Sequence, residues 1–146
     1  MRIEELDALC RHAARDLLAR GPRPLAPAVI LPLPGATRVT TLTDFPDDDP
    51  ERFDLLATFA RDVMVPVNAP AYGFVAEASI DGADVVVAVY GARNHRARVT
   101  AARFEGDELA DFSASEELDP AAFPFLAPLQ HAADAARPGD LLRSDA

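Results

Sequence analysis

Apolar residues recur along this chain with two periods, and the switches between them outline its elements. Over residues 2–20, Ile3, Leu6, Cys10, Ala13 and Leu17 follow helical spacing, and Leu9, Ala14 and Leu18 widen the stripe. Glu4, Glu5 and Asp7 stand in the first turns and Arg15 and Arg20 near the end, the order the helix dipole favours. Gly21 and Pro22 stop the helix. In "PAVILPLPGATRVTTL", strand formers flank Pro34-Gly35, a turn pair in which proline presets φ and glycine accepts a positive one. This predicts a hairpin of 28–33 with 36–42. Pro32 has no N–H to give a ladder, which places 28–33 at a sheet edge.

A second helix is expected after "DFPDDD". Asp49 is its N-cap, Pro50 its first helical residue, and Glu51 suits the first turn. Its buried stripe is Phe53, Leu56, Phe59 (or Ala60), Val63 and Met64, and Pro66 ends it. From Ala71 onward the period becomes two. The pattern predicts a meander of strands at 72–80, 84–92, 97–104 and 110–114, with turns at Asp81-Gly82, Asn94-His95 and Gly106-Asp107-Glu108.

Two-residue loops at the first two turns set the register, because side chains alternate with period two. One face then carries Tyr72, Phe74, Ala76, Ala78 and Ile80, then Val85, Val87 and Val89, then Thr100, Ala102 and Phe104, and a three-residue final turn adds Phe112. The other face carries Glu77, Ser79, Val86, Ala88, Tyr90, Val99, Ala101 and Arg103 and reads as the more polar one. Glu77 and Arg103 fall on either side of Val86, and Asp111 falls opposite Arg103. A last helix runs from about 126 to 136, after interruptions at Pro124. The expectation is one α+β domain over 1–138, with an antiparallel sheet (hairpin plus four-stranded meander) and helices mainly on one face. Residues 139–146 are expected to fray.

Composition adds limits. At 146 residues folding buries roughly 70% of the unfolded chain's surface, enough for a core without disulfides or metals. The formal charge of −10 argues against general nucleic-acid binding, which requires neutralising phosphates. Every basic residue is arginine and none is lysine, a coding bias and not a sign of phosphate recognition. One cysteine, Cys10, permits no internal disulfide and suits a reducing, cytoplasmic setting. No stretch approaches the roughly 20 apolar residues of a membrane span, and the first residues lack the apolar segment of a signal peptide.

Charge is unevenly placed. "RNHRARVTAAR" gathers Arg93, His95, Arg96, Arg98 and Arg103, while 105–119 carries only acids among its charged residues. A positive strand followed at once by a negative one is expected to neutralise itself within the sheet, Arg103 with Asp111 and Glu77. Arg93, His95, Arg96 and Arg98 flank the turn and form either a solvated hairpin tip or an anion-binding site.

Other chemistry is sparse. Cys10 lies on an apolar stripe, and His12, two residues on, points elsewhere. His12, His95 and His131 lack metal-ligand spacing, and "DFPDDDPE" lacks the alternation and central glycine of a calcium loop. Ser113 and Ser115 lack a nucleophile elbow, and neither a phosphate loop nor a dinucleotide fingerprint is present. No metal or cofactor is therefore expected. The leading expectation is a non-catalytic interaction or regulatory module that binds a protein partner or a second copy of itself, through the 28–33 edge or the polar meander face, with no nucleic-acid or membrane partner. The alternative is a small enzyme or ligand-binding domain for an anionic molecule, its site lined by Glu77, Tyr90, Arg103 and Asp111 with His95. A nucleic-acid mimic is disfavoured by the arginines.

Overall fold

The computed structural model describes residues 1–21 and 23–137. The expected frayed tail lies outside the described residues. Helix α1 (Ile3–Arg20) leads into strands β1 (Ala28–Leu33) and β2 (Ala36–Thr41). Helix α2 (Asp49–Phe59) continues as a π-helical turn over Ala60–Met64. Long strands β3 (Ala71–Ile80), β4 (Ala83–Ala92) and β5 (His95–Glu105) follow, then short strands β6 (Glu108–Leu109) and β7 (Glu116–Glu117). A 3₁₀ turn at Pro124–Leu126 opens helix α3 (Ala127–Ala135). The fold is α+β.

The sheet is antiparallel in the order β2-β1-β3-β4-β5, with β6 and β7 pairing the two ends of β5. Strand β1 is thus not an edge. It lies between β2 and β3, and its ladder with β3 covers only Ala28–Ile30. Pro32 sits beyond that ladder, so its missing N–H costs no bond there. The edge belongs to β2.

The β3–β4 register follows the turn chemistry. Asp81 and Gly82 both take positive φ, the backbone that matches strand twist, and Glu77 pairs with Val86 as expected. The β4–β5 register departs from expectation. The turn is Arg93-Asn94, Ala92 pairs with His95, and a bulge in β5 that sets Arg96 and Ala97 opposite Gly91 then shifts the ladder. Arg103 consequently faces Val85, not Val86. A slip of one residue turns every β5 side chain over.

Both faces of the sheet are covered. Helix α2, the π turn and α3 pack on Val29, Leu31, Tyr72, Phe74 and Val89, with Ala97 and Val99 of β5 joining them. Helix α1 packs on Ala28, Ile30, Val75, Val86, Ala88 and Tyr90. The face read as polar is therefore a second core. Helix α1 lies close because its contact residues are small, Cys10, Ala13 and Ala14, and meet Ala71, Gly73 and Ala88. A methyl group at Gly73 would collide with Cys10 Sγ.

The last strand is also shorter than expected. The turn is Gly106-Asp107, ladder pairing stops at Leu109, and residues 110–115 follow β5 without forming a strand. Two isolated backbone bonds, Ala110 N–H to Arg103 O and Ser113 N–H to Ala101 O, both at 2.8 Å, and several side chains tether them. Arg15 donates to Ala110 O at 3.0 Å, Arg11 donates to Ser113 O at 3.3 Å, and both guanidinium groups lie over the Phe112 ring.

The packing at Gly73 is directly testable. Gly73→Ala should lower stability by about 1–3 kcal/mol, the usual cost of overpacking. Adding Cys10→Ala should recover part of it. Urea unfolding with an unchanged denaturant slope is the measurement, and a double variant no more stable than Gly73→Ala contradicts the contact.

Candidate functional site

Helix α3 stands off the edge of β5, and the chain between Glu117 and Ala127 bridges the gap. The result is a cavity of about 420 Å³. Ala97, Leu118, Phe123, Leu126 and Ala127 supply most of its wall. Leu118 is fixed there by its N–H donating to Ala97 O at 2.9 Å. Pro120 and Pro124 stiffen the bridge.

Two polar side chains close the inner end. Tyr72, fully buried on β3, donates its hydroxyl to Gln130 Oε1 at 2.9 Å. Gln130 Nε2 donates to Ala92 O at 2.9 Å and to Asp134 Oδ1 at 3.0 Å. Asp134 Oδ1 also accepts Asn94 N–H at 2.9 Å, so the carboxylate ties α3 to the β4–β5 turn. Gly91 makes room for this arrangement. A Cβ there would lie 2.5 Å from Gln130 Oε1 and 2.6 Å from Tyr72 Oη. Burial, assisted by the charge of Asp134, raises the Tyr72 pKa, so the phenol stays protonated.

The mouth carries the charges. Arg96 and Glu117 face one another across β5 and β7 at 2.6 Å, and exposed His131 projects from α3 nearby. The bond to Glu117 raises the Arg96 pKa.

The other sequence candidates lie elsewhere. Glu77, its side chain 11% exposed, faces α1 and accepts from Arg23 at 3.2 Å and from Leu25 N–H at 3.2 Å. Arg23 also covers the Phe104 ring at 3.7 Å. Glu77 is thus paired with Arg23, not with Arg103. Tyr90 and Arg98 share the α1 side of the sheet, where Arg98 donates to Ser115 O at 2.8 Å. Burial raises the Tyr90 pKa against the opposing effect of Ser115. Arg103 and Asp111 are both exposed and do not pair, because Ala110 takes the place opposite Arg103. Arg93 lies in the turn, half-buried, its N–H donating to Pro70 O at 2.7 Å, and exposed His95 follows the turn. Only Arg96 of the candidates lines the cavity.

Tyr72, Gln130 and Glu117 escaped the sequence reading. One signal existed for Gln130. It is a polar residue flanked by the stripe Leu126, Leu129 and Ala133, where a half-buried amide needs partners.

Among the described residues no group of His, Cys, Asp and Glu is arranged to hold a metal, and no helix is long and apolar enough to cross a membrane. No protein-family model matches the chain, and neither the curated proteins nor the solved structures contain a significant match.

Cys10 is buried on the sheet-facing side of α1, and that burial, with some help from Asp7, pushes its thiol up to about 12. It is a packing residue and not a nucleophile. In the unfolded chain it ionises near 9. Between these values the unfolded state has lost a proton that the folded state keeps, so stability falls as pH rises. Unfolding curves should show that decline beginning near pH 9, and in Cys10→Ala it should begin near pH 10, where tyrosines ionise. An identical onset in both proteins contradicts the assignment.

Proposed function

We propose that the protein is a non-catalytic ligand-binding module whose site is the cavity between β5, β7 and α3. The carrying observation is the combination of a preformed, mainly apolar space of about 420 Å³ with a small set of convergent polar groups. The binder reading, as opposed to a catalyst, is supported by how those groups are employed. Tyr72 and Gln130 bond to one another, Arg96 to Glu117, and the phenol is held protonated. A catalytic acid or base needs an accessible proton matched to neutral pH, and the Tyr72 phenol lacks it. The cavity also revises the anionic-ligand expectation, because Glu77, Tyr90, Arg103 and Asp111 do not share a site.

The test is a fragment screen by amide chemical shifts. Binding fragments should shift Ala97, Leu118, Phe123 and Gln130 together, and Ala127→Trp should abolish those shifts while the fold persists. Shifts confined to other surfaces, or unaltered by Ala127→Trp, refute the proposal.

A second reading keeps the expectation of self-association and moves it to β2. This edge strand has one charged residue, Arg38, and Val39 is 43% exposed, with little to deter another strand. Antiparallel pairing of two β2 strands predicts a dimer in light scattering that Val39→Lys converts to monomer. A wild-type mass of 15.6 kDa at every concentration removes this reading.

A further inference from the structure

We infer that the cavity selects a neutral ligand with an apolar body whose inner end donates a hydrogen bond, through a hydroxyl or an amide N–H. The inference rests on the binding reading above and adds the ligand's chemical class.

It follows from proton accounting on the inner wall. Ala92 O and Asp134 Oδ1 can only accept, and the same end of Gln130 lies 2.9 Å and 3.0 Å from them. That end must be the amide nitrogen, which fixes Oε1 toward Tyr72. Oε1 can only accept, so the single Tyr72 proton points to it at 2.9 Å. Every proton of the pair is then committed. What remains on Gln130 Oε1 and Tyr72 Oη is lone pairs. The inner wall offers a ligand acceptors and no donor.

Charge adds to the selection only weakly, because Asp134 is exposed. Asp134 sits behind Gln130, and its field is felt at Tyr72, whose pKa it helps raise. A carboxylate or phosphate placed here meets lone pairs and a like charge. An ammonium satisfies the acceptors, but the walls of Leu118, Phe123 and Leu126 would strip its water without a buried countercharge. Arg96 at the mouth does not reverse this. Its side chain is 85% exposed and already bound by Glu117. Unpaired buried groups discriminate strongly and exposed charges weakly, so the inner wall decides.

The experiment is calorimetric titration of the full chain at pH 7 with probes that share one body. They are 4-propylphenol, its methyl ether 4-propylanisole, 4-propylbenzoate and 4-propylbenzylamine. The expected result is that the phenol binds at least fivefold more tightly than each of the other three. A benzoate, amine or ether within fivefold of the phenol, or tighter, overturns the ligand class and leaves the binding reading standing. Absence of binding by all four overturns both.

Discussion

The missing side chain at Gly91 is the constraint on which the rest of the structure depends. Any Cβ there would strike both Tyr72 Oη and Gln130 Oε1, whose bond is one of those that join α3 to the sheet. The same residue stands opposite the bulge, where Arg96 and Ala97 of β5 face it together and shift β5 by one position against β4. Bulges commonly re-aim side chains at strand ends beside binding sites. Here the shift sends Ala97 and Val99 toward α3 and leaves Thr100 and Ala102 under α1. The cavity exists because Ala97 and Leu118 face α3 across a gap that Gln130 holds open at one end.

Strand β5 also explains the concentration of arginines in an acidic chain. The acidic segment that follows it turns back along its free edge. Arg96 meets Glu117, and Arg98 meets Ser115. Arg11 and Arg15 of α1 grip the intervening stretch by its carbonyls and by Phe112. Backbone carbonyls, as much as carboxylates, consume the positive charge. Side-chain tethers of this kind supplement two isolated backbone bonds, from Ala110 and Ser113, so residues 110–115 lie against β5 without a continuous ladder.

Much of the fold was legible because local chemistry decided it. The α1 stripe, the Pro34-Gly35 turn and the Asp81-Gly82 turn each have one favourable backbone solution. The β5 register was not legible. A single extra residue in a bulge reverses side-chain parity, and nothing in "YGARNHRA" announces it beyond one glycine on the opposite strand. The uninterrupted run Val85–Val89 did hold a clue, since a strand apolar on both sides implies two covered faces. The cavity was less legible still. Its walls come from β3, β5, the chain after β7 and α3, and its polar groups are a tyrosine and an amide without motif spacing. The most conspicuous charged residues lie outside it: Glu77 sits on the α1 side of the sheet paired with Arg23, and the shifted register sets Arg103 opposite Val85.

The β4–β5 register is therefore the point to measure. Cross-strand nuclear Overhauser effects between α-protons and amides in the labelled protein report it without perturbing the chain. The account predicts contacts that pair Val89 with Val99, Val87 with Ala101 and Val85 with Arg103. Contacts that pair Val86 with Arg103 would mean an unbulged strand on an Asn94-His95 turn, turn Ala97 and Val99 away from α3, and contradict the cavity together with everything built on it.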